Sequence, residues 1–286
     1  MRLYGHEQAV ERFTAAWRGG TLHHAWLLAG PRGIGKARFA TMAALRLLAE
    51  AAGPAVHAQG LETPDDHPVA RLLAAGSHPD FRLVERELND KGDALRRNIT
   101  IKQIRKLAEL FAVSPSLSPW RAVIIDSVDD LEPSGANALL KMLEEPPANC
   151  VFFLVSHAPG RLLPTIRSRC RRLDFGRLDD AAMTSALADA LPEAAAEERA
   201  RLVALSGGTI NRALAFAELD LAPLEAEAVA IMREGDPDNS RRSRLASTLA
   251  LKAAVALAPR LSLDPAATCF HLGTILASVA GSGRGG

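Results

Sequence analysis

Hydrophobic and polar residues in the first half of the chain form two kinds of pattern. Short apolar runs, which predict buried strands, occur at residues 24–30, 121–126 and 150–159. Helical spacing predicts helices at residues 5–20, 36–52 and 133–147, and residues 99–115 begin as a strand and continue as a helix. Because strands alternate with helices, the pattern indicates an α/β fold whose parallel sheet carries helices on both faces.

The pattern changes near residue 176, beyond which the chain is rich in Ala, Leu and Glu and no strand is predicted. We therefore expect an α/β domain at residues 1–175, a small helical domain at 176–221 and a second helical domain at 222–286, ending in a flexible tail. Within the last domain, EGDPDNSRRS (234–243) is predicted to be a loop with solvated arginines.

Composition restricts the classes of function. Hydrophobic residues make up 48% and charged residues 23% of the chain, which is typical of a folded globular protein. A net charge of +1 and an aromatic content of 5% give no indication that the chain alone binds nucleic acid. Its three cysteines are widely spaced, so neither a disulfide framework nor a cysteine zinc site is indicated. Without a signal peptide or a long apolar run, we expect a cytoplasmic protein with no membrane contact.

The stretch GPRGIGKAR (30–38) nearly matches the phosphate-binding pattern G-x-x-x-x-G-K-S/T. Gly30, Gly35 and Lys36 occupy their expected positions, with Gly33 between them, but residue 37 is alanine. The predicted strand before and helix after the loop favour a phosphate cradle over an ordinary glycine-rich turn. The missing hydroxyl at Ala37 removes the side chain that would hold Mg²⁺ on the nucleotide.

Asp126 ends a predicted apolar strand, where such enzymes place a carboxylate beside Mg²⁺, although it could instead cap a loop. The next residue is Ser127, a poor base where many ATPases have a glutamate that orients water. Asp129 and Asp130 are expected to face solvent or cap a helix. Ala37 and Ser127 thus each lack a group that nucleotide hydrolysis needs, the first for Mg²⁺ and the second for the attacking water.

Five arginines lie in GRLLPTIRSRCRR (160–172). An arginine placed beside a neighbour's γ-phosphate can raise the rate of its hydrolysis by about 10³–10⁵. The alternative is a solvated basic face, which we favour for Arg171 and Arg172. The chain also has histidines at positions 23, 24, 67 and 78, which lack metal-ligand spacing and are expected to be structural.

Several motifs together resemble bacterial clamp-loader subunits of the AAA+ class. They are YGHEQAVERF, LHHAWLLAGPRGIGKARFA, SHPDF, IKQIRKL, VIIDSVDDLEPSGANALLKMLEEPP, PTIRSRC and GGTINRAL, and they cover roughly residues 3–216. Within that class, the weakened nucleotide motifs resemble the delta-prime branch, which shares the fold of the gamma/tau ATPases without their activity.

The resemblance implies a P-loop AAA+ domain, a helical lid and a collar-like domain in a five-subunit ring. Its partners would be gamma/tau and delta subunits, and it would reach the sliding clamp and primed DNA through the assembled complex. Arg169, in the motif Ser168-Arg169-Cys170, would contact the ATP of a neighbouring gamma/tau subunit. Arg212 would lie near the second nucleotide sensor, and Ser156 or His157 at the first.

The implied nucleotide site is degenerate, comprising Gly30, Gly33, Gly35, Lys36, Asp126 and Arg212. It requires no cofactor but could retain ATP or ADP. Where gamma/tau and many delta-prime subunits carry a four-cysteine zinc module, residues 47–90 contain no cysteine, so we expect no zinc. The final helical domain is shorter than the collar usual in this family, which makes assembly of a full collar uncertain.

Two other functions stay open at this point. The chain could be an active gamma/tau-like ATPase in which another group replaces the Ala37 hydroxyl. It could also be a regulatory module that holds nucleotide without hydrolysis. Our leading hypothesis is that the glycine loop is kept for its structural role while Arg169 acts on a neighbour's nucleotide.

Overall fold

A computed structural model describes residues 1–92, 94–218 and 222–256. The chain divides into two compact units, Met1–Arg177 and Leu178–Gly286. The finer division into domains at residues 1–175, 176–221 and 222–286 stays a prediction. The predicted flexible tail lies outside the described residues.

The first unit is a five-stranded parallel sheet with helices on both faces, which confirms the predicted α/β class. The strand order is β2-β3-β4-β1-β5, and every neighbouring pair is parallel. Its elements in chain order are α1 (Glu7–Arg18), β1 (Ala25–Ala29), α2 (Lys36–Ala52), α3 (Pro68–Ala74), β2 (Phe81–Glu85), α4 (Ile101–Ala112), β3 (Arg121–Asp126), α5 (Pro133–Glu144), β4 (Cys150–Ser156), α6 (Pro164–Arg167) and β5 (Arg171–Asp174). Single 3₁₀ turns follow β3 at Val128–Asp130 and β4 at Pro159–Arg161.

The central strands are buried on both faces because their side chains alternate between two cores. In β1, Trp26 and Leu28 pack into the core that contains residues of α1 and α2. Leu27, which lies between them, packs into the opposite core with residues of α4, α5 and α6. A strand that is covered on both sides is apolar throughout, which is why β1, β3 and β4 are visible in the sequence.

Elements that the sequence pattern did not predict are α3, the short helix α6 and the two edge strands. In β2 only Val84 is buried, and in β5 only Leu173. Such strands lack the apolar run by which a central strand is recognised. The predicted strand-like start of residues 99–115 is limited to one parallel bridge between Ile99 and Leu131, because Thr100 and Gln103 then form a capping box that begins α4.

A buried arginine organises the segment between α2 and α3. Arg46 is 1% exposed, and its guanidinium lies 2.6 Å from Glu50 Oε1. It also donates to the backbone carbonyls of Val56 at 3.1 Å and Glu62. His67 completes the arrangement by contacting the Pro54 carbonyl oxygen at 3.2 Å. These contacts tie a segment without helix or strand to the core helix.

Asp80, in the motif SHPDF, is a buried carboxylate that accepts three backbone N–H groups. The donors are Ser116, Leu117 and Ser118, at 2.7, 2.8 and 2.9 Å. Burial by itself would raise the pKa of Asp80, but these donors outweigh it and hold the pKa below its ordinary value. The carboxylate thus fixes the turn that leads into β3.

The second unit is helical in the residues described. It comprises α7 (Asp180–Ala190), α8 (Ala196–Ser206), α9 (Ile210–Glu218), α10 (Ala222–Glu234) and α11 (Ser240–Ala256). Met183, Leu187 and Phe216 lie in its core. No helix among the described residues has the length and hydropathy needed to cross a bilayer.

The loop predicted at 234–243 is shorter than expected. Asp236 accepts backbone N–H bonds from Arg241 and Arg242 and so stabilises the first turn of α11. The expectation of solvated arginines is wrong for Arg241, which is paired with Glu227 at 3.0 Å and Glu234 at 2.8 Å.

We predict that Arg46→Ala lowers the free energy of unfolding by about 3 kcal/mol, because Glu50 and two carbonyls lose their partner. The measurement is urea unfolding followed by circular dichroism. Arg12→Ala is the matched control, since Arg12 is an exposed helical arginine, and it should change stability by less than about 0.5 kcal/mol. Equal effects of the two substitutions would contradict the role of Arg46.

We predict that Asp80→Asn lowers stability near neutral pH by about 2 kcal/mol, because the amide replaces a charged acceptor of three N–H groups. The folded-state pKa is depressed, so this contribution is present above the unfolded pKa of about 3.9 and is lost as pH falls through the folded value. Unfolding measured across pH should therefore show the two proteins converging under acid conditions. Asp66→Asn, at an exposed aspartate, should leave the wild-type profile unchanged.

Candidate functional site

The glycine loop lies between β1 and α2, as predicted, and its backbone depends on glycine. Gly30 has φ 157°, and a Cβ there would lie 2.2 Å from the carbonyl oxygen of Phe175. Gly33 and Gly35 have φ values of 73° and 104°, which disfavour other residues. Gly30 is therefore required for close packing against the chain after β5, whether or not a phosphate binds.

Lys36 is buried at the start of α2, with 3% of its surface exposed. Its Nζ donates to the carbonyl oxygens of Gly30, at 2.7 Å, and Pro31. It also lies 2.9 Å from Nδ1 of His157. An ammonium has three N–H donors, so these three acceptors satisfy it within the chain itself.

The charge on Lys36 is opposed by its burial. Burial lowers the pKa of Lys36 to about 8, although the carboxylates of Asp126 and Asp129 favour the charged form. Nearby Arg32 lowers this pKa further. The ammonium therefore predominates near neutral pH.

His157 connects Lys36 to the end of β3. Burial, with the nearby cations Lys36 and Arg32, lowers the pKa of His157 to about 3, so the ring is neutral. Since Lys36 only donates, Nδ1 accepts, and Nε2–H donates to Ser127 Oγ at 2.7 Å. Ser127 in turn donates to Asp126 Oδ1 at 3.3 Å. The result is one continuous series of hydrogen bonds from Lys36 to Asp126.

Strand register explains why these residues meet. Ala29 of β1 is aligned with Ser156 of β4, and Val155 with Asp126 of β3. The three strands therefore end together, and the residues that follow them share one edge of the sheet. The family resemblance names Ser156 or His157 for the first sensor, and this convergence explains why His157 contacts Lys36.

Asp129 and Asp130 do not simply face solvent or cap a helix, so that expectation is wrong. Asp129 accepts from Ser156 Oγ at 2.8 Å and from the backbone N–H of His157 at 2.5 Å. Asp130 lies 3.7 Å from Arg32 of the glycine loop and 3.3 Å from Arg86. Asp129 therefore orients His157, while Asp130 holds the loop.

The segment before α1 also contacts the glycine loop, which the sequence pattern did not indicate. Nε2 of His6 lies 2.8 Å from the carbonyl oxygen of Ile34. Burial lowers the pKa of His6, so the neutral ring donates this hydrogen bond. Arg38 reaches back to the carbonyl oxygen of Arg2 at 2.9 Å. The loop is thus held on more than one side.

The residues present fit a magnesium–nucleotide complex only in part. The loop and the N-terminus of α2 provide a phosphate cradle, and Asp126 lies beside it. Ala37 has no oxygen to offer a metal, and the Ser127 hydroxyl is engaged by His157. Burial also raises the pKa of the Asp126 carboxyl. The hydrogen bond from Ser127 and the positive charge of Lys36 partly offset this increase. Backbone N–H groups of a glycine loop and helix N-terminus favour an anion, but residue 37 offers no hydroxyl for Mg²⁺ and the Ser127 hydroxyl is not free to orient an attacking water.

Arg169 has a different setting from the glycine-loop residues. Its guanidinium donates to the Thr165 carbonyl oxygen at 2.9 Å and lies 2.7 Å from Glu144 Oε1. Its side chain is 34% exposed, so it is open to a partner. The adjacent Cys170 packs against the core, and burial raises its pKa to about 12. The buried cysteine anchors the segment that presents the arginine.

The neighbouring arginines are mostly committed to local contacts. Arg171 lies over the ring of Trp26, 5.3 Å from its centroid, and Arg172 pairs with Asp174 at 2.6 Å. Arg167 is exposed, and its contact with the Pro159 carbonyl oxygen is long, at 3.5 Å. Arg171 and Arg172 are nevertheless both exposed, which agrees with the predicted solvated face.

Arg212 belongs to the second unit, where it lies on α9 with its guanidinium 5.2 Å from the ring centroid of Phe216. Its role as a nucleotide sensor stays a prediction. Across the described part of the chain, no group of three or more His, Cys, Asp or Glu side chains is placed to hold a metal ion. The expectation that the protein needs no zinc likewise stays a prediction.

Comparison with known proteins shows that this chain is similar to subunits of DNA polymerase III. The family model "DNA polymerase III, delta subunit" matches residues 5–179. The delta-prime subunit of DNA polymerase III from Pseudomonas aeruginosa is 39% identical over 189 residues, which are 65% of this chain and 53% of that protein. The tau subunit from Bacillus subtilis is 33% identical over 160 residues, which are 56% of this chain and 26% of that protein.

Among solved structures, a DNA polymerase III gamma subunit-related protein from Thermotoga maritima has a TM-score of 0.45 and 19% identity, covering 95% of this chain and 96% of that one. The aligned region spans about half the length of the Pseudomonas relative. The family match covers more than half of the chain and includes the glycine loop, Asp126 and Arg169. This chain therefore belongs to the DNA polymerase III delta-prime family.

Proposed function

We propose that this protein is a delta-prime-like subunit of the DNA polymerase III clamp loader. In this proposal it hydrolyses no ATP itself and supplies Arg169 to the nucleotide of a neighbouring ATPase subunit. The observation that carries the proposal is the setting of Arg169, whose guanidinium is half-buried, held at two points and accessible to a partner. A guanidinium placed in this way can stabilise charge that develops on a transferring phosphoryl group.

The chain's own glycine loop also supports the proposal, because its geometry disfavours ATP hydrolysis by this chain. Lys36 has its three donors satisfied by Gly30, Pro31 and His157. A bound phosphate would have to compete with these internal acceptors, and Mg²⁺ would find no hydroxyl at Ala37. Weak retention of ATP or ADP is compatible with this geometry, whereas efficient hydrolysis is not.

The partners that we propose follow from the family. They are gamma/tau and delta subunits in a ring, and through that ring the sliding clamp and primed DNA, in the cytoplasm. The nearly neutral net charge suits a subunit that contacts DNA through an assembly and binds it weakly alone. The gamma/tau-like ATPase is the less favoured function because Ala37 and the engaged Ser127 affect the same chemical step.

We predict that Arg169→Ala lowers ATP turnover by the reconstituted clamp loader by about 10³-fold or more at the site that it serves. Total ATP turnover by the complex falls only by the share that this site contributes. The measurement is therefore single-turnover ATP hydrolysis in the presence of clamp and primed DNA. Arg167→Ala is the matched control, since Arg167 is exposed on the same segment. Undiminished hydrolysis at every site with Arg169→Ala would refute the proposed role.

We predict that the purified chain alone, supplied with Mg²⁺ and ATP, turns over no faster than its Lys36→Ala variant. The reason is that Ala37 and Ser127 provide neither the metal ligand nor the group that orients water. Steady-state phosphate release measures this. Turnover that disappears in Lys36→Ala would instead identify a gamma/tau-like ATPase.

A further inference from the structure

We propose that Glu144 is the positioning residue for Arg169, fixing its guanidinium for the neighbour's nucleotide. This inference rests on the proposed function, because it concerns the same arginine. Glu144 belongs to the motif KMLEEPP, for which the sequence analysis assigned no individual role. The structure places its carboxylate 2.7 Å from Nη2 of Arg169.

Two separate elements hold the guanidinium. Glu144 is the last residue of α5, whereas Thr165, whose carbonyl oxygen accepts from Nη1 at 2.9 Å, lies in α6. The two acceptors engage different nitrogen atoms of one planar group. Since a plane held at two of its three nitrogens cannot turn freely, these contacts fix the orientation of the guanidinium as well as its position.

The remaining donors stay available to an anion. A guanidinium has five N–H groups; the Thr165 carbonyl oxygen accepts from one at Nη1, and the Glu144 carboxylate forms an ion pair at Nη2. Arg169 is 34% exposed and Glu144 is 48% exposed, so the pair lies at the surface. Surface ion pairs contribute little to stability, which leaves orientation of the arginine as the better account of this contact.

The helix that carries Glu144 is well anchored. Leu139 and Leu143 on α5 are buried in the core, so the end of this helix is fixed with respect to the sheet. Glu145 follows directly and is exposed, and its side chain enters no hydrogen bond or ion pair within the described residues. The chain thus offers two adjacent glutamates, of which Glu144 contacts the arginine.

A carboxylate could also restrain an arginine in an inactive position, and the two roles have opposite consequences. A restraining glutamate slows hydrolysis, so its removal would speed the reaction. A positioning glutamate lowers the cost of ordering a long side chain before the transition state, so its removal slows the reaction. The sign of the effect on kcat therefore distinguishes them.

The test is ATP hydrolysis by the clamp loader reconstituted from this chain with gamma/tau and delta subunits, in the presence of clamp and primed DNA. We expect Glu144→Ala to lower kcat at the affected site about three- to tenfold with KM unchanged, since positioning acts in the transition state. Glu144→Gln should restore much of the loss, because its amide oxygen can take the place of the carboxylate oxygen beside Nη2 of Arg169. Glu145→Gln should match the wild type.

Arg169→Ala in the same assay distinguishes failure of the proposed function from failure of the positioning role of Glu144. If it changes nothing, the proposed function itself fails. If it slows hydrolysis while Glu144→Ala leaves kcat unchanged or raises it, only the positioning role is overturned.

A second measurement uses the chain alone. The NMR order parameter of the Arg169 Nε–H group, assigned by its loss in Arg169→Ala, should fall in Glu144→Ala and not in Glu145→Gln. An unchanged order parameter would overturn the positioning role whatever the assembled complex does.

Discussion

A buried ammonium at the edge of a parallel sheet sets the arrangement of everything around it. Removing such a charge from water is costly unless hydrogen-bond acceptors surround it. Lys36 finds two of them in the glycine loop, which requires the backbone that Gly30 and Gly35 allow. The third acceptor is His157. The Asp129 carboxylate orients this histidine by accepting a hydrogen bond from the backbone N–H of His157. The loop, β4 and the turn after β3 are thus all organised around one cation.

Within the first unit, the glycine loop and Arg169 use their positive charge in different ways. At the glycine loop, hydrogen-bonding capacity is used internally, from Lys36 through His157 and Ser127 to Asp126. At the end of α6, by contrast, a cation is held at two points and left open to solvent. A chain that directs its accessible positive charge outward is suited to act on another molecule's phosphate, which is the basis of the proposed function.

The sequence predicted the central strands and main helices because they are covered by other elements and therefore carry clear patterns. It missed β2 and β5, whose exposed positions are polar or mixed, and the capped start of α4. It pointed to Lys36 and Asp126 from motif spacing, and to Arg169 from the family resemblance. It did not anticipate that His157 bridges the glycine loop and β3, or that Glu144 contacts Arg169. Those contacts join residues distant in sequence and depend on strand register and helix ends, which no local pattern encodes.

The segment between α2 and α3 is held in place by a small set of polar contacts. Its fixed points are a guanidinium, a carboxylate, an imidazole and backbone carbonyl oxygens, centred on Arg46 and His67. A thiolate cluster can be oxidised and can lose its metal to a chelator. An arginine has neither weakness and stays charged at all physiological pH values. The contacts centred on Arg46 and His67 therefore require neither a bound metal ion nor a particular redox state of a thiol.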